Sequence, residues 1–222
     1  MHIEVDTFKN KIKNYDPATS DNVHQESAKL ADREFERLLK TREYKHIVFM
    51  AGGPGAGKSE YCKTNLNEDK ENKYIKYLIY DGTFAGNKPY IKFSSIAKKQ
   101  WSKKIPVSIV LIIPKSYKVA FSVFQSRERK MNNLVFIEKH KKCIKNIIKI
   151  LQKKNRKKDD YPRIQLEIFL SSSRSINSIK FYKKVKKIRL KYQEVSIPRS
   201  FADKIALLNT LLENAEKKVY IK

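Results

Sequence analysis

Gly52, Gly57, Lys58 and Ser59 hold the fixed positions of G-x-x-x-x-G-K-[ST] within Gly52-Gly53-Pro54-Gly55-Ala56-Gly57-Lys58-Ser59. These residue types, in this order, can hold a polyphosphate. Glycines let the backbone turn tightly with its N–H groups aimed at phosphate oxygens, and a helix opening near Gly57 adds the positive end of its dipole. Lys58 is placed to reach the β- and γ-phosphates, and the Ser59 hydroxyl to ligate Mg²⁺. Two further residues suit the same chemistry. Asp81 follows the apolar stretch Tyr74–Tyr80, where a carboxylate can hold Mg²⁺ or its water. Arg127 stands at the end of an expected helix, where a guanidinium would offset charge on a transferred phosphoryl group. Together they describe ATP and Mg²⁺ binding with phosphoryl transfer. The plainer alternatives are a glycine-rich turn, a turn aspartate before Gly82, and a solvated arginine at a helix end.

Such a loop needs a strand before it and a helix behind it. His46–Ala51 is a short apolar run, and Glu60–Leu66 can continue a helix from Gly57. Upstream, Val23, Ser27, Leu30, Ala31, Phe35, Leu38 and Leu39 recur at helical spacing, with Ser20 or Asp21 available to cap the start. Residues 1–18 show no clear period. Downstream, strands are expected over residues 74–80, 106–113 and 164–170. Helices are expected over 90–103, 115–130, 135–154, 175–187 and 202–217. Strands alternating with helices predict an α/β fold with a parallel sheet covered on both faces. The expected division is an N-terminal helical extension over 1–44, a core over 45–172 and a C-terminal helical region over 173–222.

Composition narrows the setting. The 222 residues are 41% hydrophobic, with no run of 18 apolar residues, so no membrane span is expected. The acidic start, Met1 to Phe8, is no signal peptide. Cys62 and Cys143 are the only cysteines, and no metal-ligand spacing appears among them and the four histidines. A reduced, cytoplasmic protein is the simplest expectation. The net charge of +26 is concentrated: residues 101–200 carry 27 basic and six acidic side chains. That field would attract ATP, phosphorylated sugars, nucleic acid or an anionic membrane surface. The excess is mostly lysine, 39 against 10 arginines, whereas bidentate phosphate readout favours arginine; nucleic acid is therefore the weaker expectation.

From about residue 20 to 170 the chain resembles the zeta-toxin family, phosphate-loop kinases of toxin–antitoxin systems. The likeness is carried by Asp16–Ala31, Met50–Glu60, Tyr80–Phe84, Ala120–Glu128 and Val135–His140. It implies a P-loop NTPase-like α/β core, ATP and Mg²⁺ as cofactors, and phosphorylation of the 3′-hydroxyl of UDP-N-acetylglucosamine. It also implies a possible antitoxin protein as partner. By the same likeness Gly52 to Ser59 bind nucleotide, Thr83 lies by the sugar substrate, and Arg127 lies near the transferred phosphate.

The chain departs from that family twice. In the family, a strand with an aspartate-rich turn supplies the general base, and a helical substrate wall follows it. Here only 23 positions separate Lys58 from Asp81, too few for both. The family's second arginine, in a Gly-Arg-x-Pro-like turn, has only Arg129 or Lys130 as a counterpart. The expectation is an ATP-binding, zeta-toxin-like kinase with an incomplete catalytic set. The rivals are a nucleotide-binding module without turnover and a basic, nucleic-acid-associated protein.

Overall fold

Alternate side chains along the central strands point to two different cores, and that alternation sets the architecture. The structure is a computed structural model that describes residues 1–16, 23–41, 44–66, 77–86, 93, 95–96, 105–126, 133–156, 164–172 and 190–218. Six strands form one sheet: β1 (His2–Glu4), β2 (His46–Ala51), β3 (Tyr77–Asp81), β4 (Val107–Pro114), β5 (Ile164–Ser172) and β6 (Lys191–Glu194). Their order is β1-β3-β2-β4-β5-β6. The first five are parallel to their neighbours, and β6 closes the edge antiparallel to β5. β4 is buried at every position, as a parallel strand covered on both faces must be.

Ile47, Phe49, Leu78, Ile109 and Leu111 enter the larger core. There they meet α1 (His24–Thr41), α3 (Tyr117–Gln125), α4 (Asn133–Arg156) and α5 (Phe201–Lys218), through residues such as Phe35, Phe124, Ile147 and Leu208. Val48, Met50, Ile79, Val110 and Ile112 enter the second core. It is covered by α2 (Lys58–Tyr61) and the π-helical turn Cys62–Leu66 that continues it, through Tyr61 and Cys62. The short helix therefore lies on one face of the sheet, and the four longer helices lie on the other. Phe49 sits at the centre of the larger core, with ring centroids 5.5 Å from Phe35 and 5.2 Å from Phe93.

This is the expected α/β class with a mostly parallel sheet and helices on both faces. The N-terminal segment differs from the helical extension expected over residues 1–44. Its first residues form β1, pairing His2 with Ile79 and Glu4 with Asp81, before a 3₁₀ helix (Val5–Lys11) and α1. The strand is too short to show a period; its stability comes from the β3 backbone. The Ile79 N–H donates to Met1 O at 2.9 Å, and the terminal ammonium donates to Tyr77 O at 2.5 Å. In the C-terminal region, expected as helical, Lys191–Glu194 is a strand and α5 is the helix. The expected helix over 175–187 lies outside the described residues, as does most of that over 90–103.

Candidate phosphate-binding site

The loop after β2 is shaped by what surrounds it. Gly52, Gly55 and Gly57 have φ of 140°, 73° and 92°. At Gly55 the left-handed backbone coincides with a close approach: a Cβ there would strike the carbonyl of Ala120 on α3. Gly53 is required for a different reason, because a Cβ would enter the imidazole ring of His140 on α4.

Four of the loop's carbonyls have donors. His140 Nε2 lies 3.0 Å from Pro54 O, Ser171 Oγ donates to Ala56 O at 2.7 Å, and Tyr192 Oη donates to Gly57 O at 2.7 Å. Lys58 Nζ donates to Gly53 O at 3.2 Å. In a trans peptide the C=O and the following N–H point in opposite directions, and no described peptide is cis. The N–H groups of Gly55, Gly57 and Lys58 therefore each point away from the partner of the preceding carbonyl. Gly55, Gly57, Lys58 and Ser59 are half-buried, while Gly52, Gly53, Pro54 and Ala56 are buried.

His140 is 2% exposed and lies between Tyr117 and Phe136, with ring centroids at 5.0 and 4.5 Å. Burial, opposed by the Pro54 carbonyl and aided by the Lys58 charge, lowers its pKa from 6.5 to about 3. The ring is neutral at pH 7, and its bond to Pro54 O requires the proton on Nε2.

Beside the loop, Ser59 Oγ donates to Asp81 Oδ2 at 2.8 Å and lies 3.3 Å from Glu4 Oε1. His2 Nε2 approaches the same Asp81 Oδ2 at 3.3 Å. Topology explains the gathering. Asp81 ends β3, Glu4 is its register partner at the end of β1, and Met50 is its partner on β2. Open parallel sheets assemble ligand sites at the carboxyl ends of their strands. Asp81 is 4% exposed, so its partners matter to its placement. Thr83 takes part through its backbone: its carbonyl accepts the Gly52 N–H at 3.3 Å. The turn it belongs to places Phe84 at φ 57°, in the left-handed region, and Asn146 of α4 fastens it through bonds to Phe84 O (3.0 Å) and Gly86 O (3.2 Å).

The structure thus brings Lys58, Ser59 and Asp81 to one place. Arg127, with Arg129 and Lys130, lies outside the described residues, two positions past the end of α3. Glu4, His140, Ser171 and Tyr192 are the residues that sequence reasoning missed. Ser59, Asp81 and Glu4 offer a hydroxyl and two carboxylates, the hard oxygen donors that Mg²⁺ selects, so the donor set fits that ion. The glycine-rich loop and the Lys58 ammonium fit a polyphosphate. Neither family models nor curated proteins gave a match to the chain.

Proposed function

We propose that the protein binds ATP with Mg²⁺ in the loop Gly52–Ser59, as a zeta-toxin-like phosphotransferase site whose catalytic set is incomplete. The observation that carries this reading is the Lys58–Ser59 pair of the glycine loop at the end of β2, with the Ser59 hydroxyl donating to Asp81 at the end of β3. In this reading the amides of Gly55, Gly57 and Lys58 hold phosphate oxygens, and Lys58 exchanges the Gly53 carbonyl for the β- and γ-phosphates. Ser59 and Asp81 hold the cation, which would neutralise charge between those phosphates. UDP-N-acetylglucosamine is the acceptor that the family likeness suggests.

A specific observation favours the rival reading, a nucleotide-binding module with little turnover. Both described carboxylates at the site, Asp81 and Glu4, are turned to Ser59 on the cation side. Neither is spare to take a proton from an acceptor hydroxyl.

Calorimetric titration with MgATP tests the shared claim. Lys58→Ala removes the loop's cation, and charge-assisted phosphate contacts are each worth ~1.5–3 kcal/mol. Affinity should fall by about tenfold or more. Equal affinity of wild type and Lys58→Ala would remove the nucleotide reading.

A further inference from the structure

One group of side chains at the back of this site does not suit Mg²⁺. His2 Nε2, Cys62 Sγ and an Asp81 carboxylate oxygen all lie within 4.8 Å of one another. Imidazole, thiolate and carboxylate are the ligand types of Zn²⁺, and three protein ligands leave a fourth position open for water. The three come from separate elements: β1, the π-helical turn after α2, and the end of β3. Their convergence follows from the fold. In β1, His2 and Glu4 face α2 while Ile3 enters the opposite core, and the turn behind Ser59 lays Cys62 against the same sheet face. Cys62 and Asp81 are 0% and 4% exposed, so the two inner ligands are fixed by packing. His2, at the sheet edge, is the part able to adjust. Tetrahedral sites place ligand atoms roughly 3.5 Å apart, and His2 and Asp81 already stand at 3.3 Å.

We propose that His2, Cys62 and Asp81 form a binding site for a thiophilic divalent cation of the Zn²⁺ class. The Cys62 thiol loses its proton as the ion binds, neutral His2 contributes Nε2, and Asp81 contributes a carboxylate oxygen. One proton is released for each ion taken up. Burial first, then the negative charges of Asp81 and Glu4, hold the free thiol protonated, while Lys58 acts the other way. A cation between these groups reverses that balance. A consequence rests on the nucleotide reading above: an ion held by Asp81 withdraws it from Ser59 and from the Mg²⁺ of a bound nucleotide. Zn²⁺ and MgATP then oppose each other's binding.

Cobalt(II) added to the purified, metal-free full chain under reducing conditions reports the site directly. A thiolate ligand gives an intense charge-transfer absorption that oxygen and nitrogen ligands do not give. Wild type should bind one ion with that absorption, and Zn²⁺ should bleach it. Cys62→Ser should lose the band, Cys143→Ala should keep it, and His2→Ala should weaken cobalt binding by about tenfold or more. His2 is at the sheet edge, so its variant remains informative even where Cys62→Ser melts early. Absence of the band in wild type, its persistence in Cys62→Ser, or unchanged affinity in His2→Ala would each overturn the site. A parallel ATP titration separates the two readings. A cobalt band without ATP binding leaves the metal site and removes the nucleotide site; ATP binding without the band does the reverse. Where both occur, Zn²⁺ should weaken MgATP binding in wild type and not in Cys62→Ser; equal weakening in both would overturn the competition.

Discussion

At the scale of single residues, Asp81 carries the most. Its Oδ2 receives Ser59 and faces His2, and its backbone ends the strand lying between β1 and β2. Asn at this position keeps the shape and can still accept from Ser59, but it lacks the charge that holds a hard cation. Asp81→Asn should therefore leave the fold intact and abolish the gain in ATP affinity that Mg²⁺ confers. Titrations with and without Mg²⁺ on both proteins decide it. A variant that still responds to Mg²⁺ like wild type would reduce Asp81 to a turn residue. Asp81 was legible in the sequence because its signal is local: an apolar run, a carboxylate, a glycine. Glu4 was not. Nothing in its neighbourhood marks it, and it reaches Ser59 only because β1 pairs with a strand more than seventy positions away.

At the scale of elements, the same contrast holds. β2 and β4 are apolar runs that state their own burial, and α1 and α4 repeat apolar residues at helical spacing. β1 and β6 have three and four residues, and their pairing partners define them. In the sequence the loop's glycines account for a tight turn around phosphate, yet Gly53 answers to a ring on α4. His140 lies in a segment noted for its family likeness, but its bond to Pro54 is a tertiary contact across 86 positions. That contact has a measurable signature. The native pKa, about 3, is below the ordinary 6.5, so between these values the unfolded chain binds the extra proton. Its contribution to stability is fully present above pH 6.5 and is lost as pH falls toward 3, at up to about 1.4 kcal/mol per unit. His140→Gln keeps an amide donor for Pro54 O and removes the titration. It should melt lower than wild type at pH 7 but lose less stability between pH 6.5 and 4.5. Parallel slopes for the two proteins in melts across that range would show that His140 is not the buried neutral group described.

For the whole molecule, the question is whether ATP, if held as proposed, would also be used. General base catalysis contributes about 10²–10⁴-fold, and positioning of the acceptor contributes more. Asp69 and Glu71, in the polar stretch Asn67–Lys73 of the sequence, lie outside the described residues. A base working at neutral pH must be a carboxylate that is both held in place and raised in pKa. Asp81 could take the proton only by leaving Ser59, and Glu4 is turned the same way. The field of a +26 chain would add nothing to this step: it would speed the arrival of anionic ligands such as the proposed ATP, an effect that salt screens. The expected outcome with ATP, Mg²⁺ and UDP-N-acetylglucosamine is nucleotide binding with little or no phosphorylated sugar. Phosphorus NMR of the mixture over hours measures it, with Lys58→Ala as the control for the loop. Robust formation of a phosphorylated UDP-sugar by wild type, abolished in Lys58→Ala, would show that a base reaches the acceptor and would replace the binding-module reading with that of a working kinase.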